Sequence, residues 1–216
     1  MRNFFALLLF SSSVAFSQDC ITYNGETINC LDDNNEKTGI WKAFNENTGL
    51  LVMVQFENGK YASNTTYYKD AKLIASYDNE KYLYIFKDQD TIRARFKRED
   101  DKRLTIIDDA GVELNEEIRK FYFLNSAIQP MPYGGFNTVY EFIRKNKNPK
   151  IKNKGKVVVE FYIDADGFTS DVAVKSSENK ALNEEALRLI RSLPRWQPGH
   201  QKGIFVKAKY SVPISF

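Results

Sequence analysis

The sequence predicts an α+β protein in two parts: an N-terminal antiparallel β meander, then a small domain in which an antiparallel sheet packs with two helices. Three observations carry this expectation. Residues 156–216 run as strand, hairpin turn, strand, helix and closing strand. Residues 20–112 hold short aromatic and β-branched runs broken by Asn, Asp and Gly, with no long helical period. The charge also changes sign between the parts: twenty Asp/Glu against fifteen Lys/Arg over residues 18–135, but eight against fifteen from residue 136 onward. The stretch NSAIQPMPYGG, rich in chain breakers, reads as the linker. The expected division is therefore a signal peptide at 1–17, a β-rich hairpin-repeat domain at 18–125 and the smaller domain at 126–216.

The N-terminal stretch has one basic residue, Arg2, an apolar run over 4–10, a softer SSSVAF and a small-x-small site at Ala15 and Ser17. This is the pattern of a secretory signal peptide cleaved after Ser17. Its apolar part, about 14 residues with the serines, falls short of the roughly 20 that span a bilayer as a helix. A lipid-modified Cys20 is the rival reading, disfavoured because Phe16-Ser17-Gln18-Asp19 lacks the small residues such a cysteine needs before it. Export implies an oxidising compartment, so Cys20 and Cys30, the two cysteines present, are expected to pair across ITYNGETIN. Metal binding is the alternative, but the single histidine, His200, is far off in sequence.

Within the meander an aromatic residue is followed two positions later by Asn or Asp at Phe56-Asn58, Tyr68-Asp70, Tyr77-Asn79 and Phe86-Asp88. Spacings of twelve, nine and nine residues fit consecutive strands joined by tight turns. Residues 113–123 suit a short helix or one more strand equally.

In the second part, Val157, Val159, Phe161 and Ile163 alternate with Lys156, Glu160 and Tyr162, which is the period of a half-buried strand. Asp164-Ala165-Asp166-Gly167 reads as a hairpin turn, and 168–175 as the return strand. Leu182, Ala186, Leu189, Ile190 and Leu193 sit at helical spacing, with Asn183 as the expected N-cap, Glu184 and Glu185 in the first turn and Pro194 as the stop. A polar loop follows, in which His200 is expected to face solvent. The closing strand places Val206, Ala208, Tyr210, Val212, Ile214 and Phe216 on one face and Lys207, Lys209, Ser211 and Ser215 on the other.

Catalytic chemistry finds little to work with. His200 has no serine elbow or partner cysteine in the sequence around it. Asp164 and Asp166 with Gly167 echo half of a calcium loop without its third ligand or distal Glu, so a turn explains them. Trp196 with Pro198 is expected to anchor the helix-to-strand loop on the core. The reading is a non-enzyme with no cofactor and no metal, and a net charge of +3 gives no case for nucleic acid.

These residues also carry a resemblance. Gly155 and the strand after it, Asp164-Ala165-Asp166-Gly167, the helix from Leu182, Leu193-Pro194, Trp196-Gln197-Pro198-Gly199 and Val212-Pro213-Ile214-Ser215-Phe216 resemble the C-terminal domain of the TonB family. Upstream, Pro130-Met131-Pro132-Tyr133-Gly134-Gly135 and a short helix over 136–147 resemble the segment that leads into that domain. The positions Pro149, Gly167, Pro194, Trp196, Pro198, Gly199 and Pro213 are the structural motif residues. Asn148-Pro149 stands where the family usually has Tyr-Pro. The first half, with Gly39-Ile40-Trp41-Lys42-Ala43-Phe44 and Phe56-Glu57-Asn58-Gly59, is similar to MORN-like hairpin repeats, with Ala71 where that pattern has Gly.

The resemblance implies a non-catalytic periplasmic binding domain that, in true transducers, pairs a strand with a peptide of an outer-membrane transporter. The expected binding surface is the strand 205–216 with the basic run before the first strand: Lys150, Lys152, Lys154, Phe205, Lys207, Lys209 and Tyr210. The alternative is that Pro213 shields this edge and the strand only completes the core. Expected partners are an envelope protein, an outer-membrane transporter among them, or peptidoglycan. The alternative function is a TonB-type energy transducer that keeps an uncleaved N-terminal anchor; the sequence holds no Pro-rich spacer of the kind such a transducer uses.

Overall fold

A computed structural model describes residues 19–98, 104–124, 127–201 and 203–216. The expected signal peptide lies outside the described residues. The Asn and Asp that follow each aromatic strand end are where the first half turns: Asn58, Asp70, Asn79 and Asp88 all have φ between 49° and 65°. Asn and Asp tolerate this left-handed conformation better than other side chains do, so each marks the end of one strand and the start of the next. The strands are β1 (Asp19–Tyr23), β2 (Glu26–Leu31), β3 (Lys37–Asn45), β4 (Leu50–Glu57), β5 (Lys60–Tyr61), β6 (Thr65–Lys69), β7 (Lys72–Tyr77), β8 (Tyr82–Lys87), β9 (Asp90–Arg98) and β10 (Leu104–Ile107). They pair in chain order as an antiparallel sheet, with the short β5 as a side branch on β4. At the β6–β7 turn Ala71 itself takes φ 63°, next to Asp70 at 49°, the geometry of a two-residue hairpin turn that favours Gly.

The disulfide between Cys20 and Cys30 ties β1 to β2, and the Trp41 indole donates to the Cys30 carbonyl at 3.0 Å. One face of the sheet buries Trp41, Val52, Val54, Phe56, Tyr67, Leu83, Ile85 and Ile106. Residues 113–123, open to two readings from sequence, contribute the helix α1 (Glu116–Leu124). Asn115 caps it, its Oδ1 accepting from the Ile118 amide at 3.0 Å, and Glu116 and Glu117 occupy the first turn. The helix lays Tyr122 into the core, 5.6 Å from the Tyr67 ring.

The second half comprises α2 (Phe136–Asn146), β11 (Lys156–Ile163), β12 (Thr169–Ser177), α3 (Asn183–Arg191), β13 (Gly199–Gln201), β14 (Ile204–Val206) and β15 (Ala208–Ser215). Three strands form a sheet in the order β12–β11–β15. Val157, Val159, Phe161 and Ile163 point from β11 into a second core with Leu182, Ala186, Leu189 and Ile190 of the α3 region, Val139 and Ile143 of α2, and Trp196. Asp164 Oδ1 accepts from the amides of Asp166 and Phe168, both at 2.9 Å, which makes the hairpin turn. Gly167 is required there: φ is 91°, and a Cβ would lie 2.1 Å from the Trp196 carbonyl oxygen.

Three details differ from the sequence expectation. Asn183 is the first residue of α3 and not its cap; a single 3-10 turn, Lys180–Leu182, precedes the helix, and Asn179 Oδ1 accepts from the Ala181 amide at 3.1 Å. The closing strand is not continuous: it breaks at Lys207, β14 pairing with β13 and β15 with β11. His200 is not in a solvent loop. It is 1% exposed, on β13, with its ring 5.5 Å from Tyr67 and 5.2 Å from Phe205. The reason is that the β13–β14 hairpin does not cover its own half. It inserts into the first core, where Phe205 contacts Trp41 at 5.4 Å and Phe56 at 6.1 Å.

The linker runs beside this hairpin. Ile128 and His200 exchange both backbone hydrogen bonds at 2.8 Å, and Met131 and Gln197 exchange theirs at 3.2 and 2.9 Å. Gly199 permits the close approach, since a Cβ there would lie 2.6 Å from Pro130. Arg195 fastens the same seam with a side chain only 5% exposed. It donates to the Asp166 carbonyl at 2.7 Å and the Asp19 carbonyl at 3.0 Å, with its guanidinium over the rings of Trp41 and Phe168. A buried guanidinium is tolerable only with such partners, and its burial holds its pKa below the ordinary arginine value. Lys37 pairs with Asp166 across the seam, and burial pushes its pKa down to about 8, against the pull of Asp164 and with the push of Arg195.

Candidate functional site

The two outer strands of the three-stranded sheet present different edges. On β12 the pairing with β11 is irregular, with register shifts between Val158 and Val159 and between Glu160 and Tyr162, and Asp171 takes φ 50°. Bulged edges of this kind resist the addition of another strand. β15 instead pairs with β11 in unbroken register from Lys156↔Ser215 to Ile163↔Ala208.

The orientation of β15 follows from two residues. The Phe216 amide donates inward to the Gly155 carbonyl at 2.9 Å. Residues 214, 212, 210 and 208 share that inward phase, because hydrogen-bonded and non-hydrogen-bonded pairs alternate along an antiparallel ladder. Lys209, Ser211, Pro213 and Ser215 therefore aim their backbone groups away from β11. Pro213 fits a regular ladder only in this phase, since it has no N–H to give. The outer edge thus offers N–H and C=O groups at Lys209 and Ser211 and a carbonyl alone at Pro213, while the Ser215 carbonyl is taken by the Lys147 ammonium.

Side chains frame this edge. Tyr210, Val212 and Ile214 turn to the core, and the Tyr210 hydroxyl donates to the Pro130 carbonyl at 2.5 Å; burial raises its pKa. Lys209 and Lys207 face outward, but each is engaged. Lys209 meets Glu160 at 2.7 Å, which raises its pKa, and Lys207 meets Asp171. Both also approach the Tyr162 ring, at 5.8 and 4.5 Å. The structure brings Lys207 and Lys209 together around Tyr162, while Tyr210, on the same strand, faces the core. Phe205 belongs elsewhere, in the first core. The basic run is exposed: the Lys150 backbone amide donates to Asn148 and the Lys152 ammonium to the Pro149 carbonyl in their own loop, and the Lys154 carbonyl meets Asn179. Lys147, not in the expected set, is the basic residue that reaches β15, its ammonium also lying over the Phe216 ring at 5.1 Å.

The motif positions hold loop geometry. Trp196 is buried against Phe161 at 5.9 Å and Tyr210 at 5.0 Å, Pro198 is buried beside it, and Pro149 and Pro194 are exposed at the ends of α2 and α3. Among the described residues no group of three or more His, Cys, Asp or Glu is placed to hold a metal ion. No described helix is long and apolar enough to cross a membrane.

With this geometry, residues 149–216 match the family model described as Gram-negative bacterial TonB protein C-terminal. This stretch resembles a TonB C-terminal domain. No curated protein and no solved structure matched the chain. The matched TonB segment begins after α2, yet Val139 and Ile143 of that helix complete its core. Arg195, which fastens the TonB domain to the first half, was not singled out from sequence. Its neighbours in the Trp196-Gln197-Pro198-Gly199 motif were the only nearby signal.

Proposed function

We propose that this protein is a non-enzymatic binding protein of the cell envelope whose TonB domain captures an extended segment of a partner protein along β15. The family implies a periplasmic, envelope-associated domain, and the observation that carries the finer reading is the regular outer edge at Lys209 and Ser211. Main-chain hydrogen bonds along such an edge supply affinity, and side chains on alternate positions supply selectivity. Tyr162 with Lys207 and Lys209 lies on the exposed face next to that edge, so it favours an occupant with acidic or aromatic residues there. An outer-membrane transporter is the first partner class to examine.

A photo-crosslinking residue at Ser211, compared with one at Ala173 on β12, tests this in native cells. Adducts to an envelope protein are expected from position 211 and not from 173. Ser211→Pro removes a second outward donor without touching the β11 ladder and is expected to abolish the adduct formed from position 209. Equal capture from both edges, or none from β15, would sink the reading.

A further inference from the structure

A cleft of about 320 Å³ opens at the seam, between the end of β1, the β3–β4 turn and the linker. That volume lies at the small end of the range for ligand sites. Three half-buried rings wall it. Tyr23 and Phe44 stack with centroids 5.2 Å apart and 21° between their planes, and Tyr133 sits 5.2 Å from Tyr23 and 6.4 Å from Phe44.

Gln197 lies at the base of the cleft, 1% exposed. Its amide nitrogen donates to the Phe44 carbonyl at 2.6 Å, which fixes the side chain, but its Oε1 has no hydrogen-bond partner among the described residues. A buried acceptor without a partner is unfavourable, and a donor delivered into the cleft would satisfy it. At the rim Glu46 accepts from the Tyr23 hydroxyl at 2.8 Å and remains exposed, with further lone pairs to offer. Tyr133 accepts from the Asn29 amide at 2.7 Å, which leaves its own O–H to donate.

The chemistry narrows the occupant. Among the described residues no cationic side chain lines the cleft and Glu46 is acidic, so phosphate and carboxylate ligands are disfavoured. The backbone groups of Met131 and Gln197 are spent on each other, so an extended peptide finds no strand to extend at that point. What fits is an uncharged molecule with an apolar face for the rings and several hydroxyl donors for Gln197, Glu46 and the exposed Gln129 amide. We propose that this cleft binds one or two uncharged pyranose residues of a glycan.

Titration of the full chain with chitotriose and with cellotriose, read by NMR at the aromatic side chains, tests the assignment. Shifts are expected at Tyr23, Phe44 and Tyr133 with at least one of the two sugars, and a preference for chitotriose would show that the acetamido group is read. Glu46→Gln and Tyr23→Ala are each expected to weaken binding at least tenfold with the Trp41 and Trp196 signals unmoved, which certifies the fold. Ser211→Pro is expected to leave sugar binding unchanged, so failure here is separable from failure of strand capture on β15. No ring shift with either sugar up to about 10 mM, a level far weaker than useful recognition, would overturn the proposal, as would binding that survives both cleft substitutions.

Discussion

The two hydrophobic cores gather their residues over different reaches of chain. The buried residues of the second run from Val139 to Ile214, supplied by α2, β11, the α3 region, Trp196 and β15. The first fills one face of the long sheet from Leu31 to Ile106, then takes Tyr122 from α1, Ile128 from the linker and Phe205 from inside the TonB segment. A domain border drawn along the sequence therefore differs from one drawn through the packing: the first half is finished by a hairpin that belongs, in sequence, to the second. The two tryptophans report on the cores separately, Trp41 in the first and Trp196 in the second.

The strongest test of this asymmetry is Phe205→Ala. Truncating a buried Phe costs about 3–5 kcal/mol, and the loss should appear first in the Trp41 signal during denaturant unfolding, with Trp196 following. If Trp196 alone responded, the hairpin would not be part of the first core. Gly167→Ala comes next, at about 2–3 kcal/mol, because strained backbone there must be combined with displacement of the Trp196 carbonyl; the loss should be felt by both tryptophans, since Arg195 hangs on the same loop. Reduction of Cys20–Cys30 reopens a loop with a sequence separation of 10 and should lower stability by about 2–3 kcal/mol, confined to the first core in a thermal melt.

Smaller effects sharpen the contrast. Glu185, buried on α3, accepts two hydrogen bonds from Arg188 at 2.7 Å and one from the Asn148 amide at 2.8 Å, and the Arg188 guanidinium holds its carboxyl below the ordinary value of 4.5. Its contribution is therefore present above pH 4.5 and lost as the pH falls through the depressed value. Glu185→Gln should cost the second core about 1–2 kcal/mol at pH 7, with the gap to the parent protein closing in acid. Ala71→Gly should stabilise the first core by a few tenths to about 1 kcal/mol, as relief of a left-handed alanine outweighs the added freedom of glycine in the unfolded chain. A denaturant midpoint that fell would mean the β6–β7 turn is not strained.

Much of this architecture was legible in the residues because it is local. The alternation at Val157, Val159, Phe161 and Ile163, the turn at Asp164 to Gly167, the Asn and Asp that end the meander strands and the pairing of Cys20 with Cys30 all depend on near neighbours. Phe205 and His200 were not legible. Periodicity suggested one closing strand over 205–216 and so grouped Phe205 with the expected binding surface, but the strand changes sheets at Lys207, and a change of partner leaves no mark on hydrophobic spacing. His200 sits among polar letters, and only the fold reveals that Tyr67 and Phe205 enclose it. At the candidate binding surface, the outward Lys207 and Lys209 and the inward Tyr210 could be placed by alternation. The role of Lys147 and the irregularity of the competing β12 edge depend on register, which a single sequence does not encode.

The break at Lys207 has a mechanical consequence. β14 and β15 are successive segments of one chain, the first wedged beside Trp41 and the second carrying the outer edge of the TonB sheet. If β15 captures a polypeptide as proposed, a tug on it would travel along that covalent backbone directly into the disulfide-braced half, without crossing the hydrogen bonds between β11 and β15. The meander is in this sense the footing against which the edge strand would be loaded.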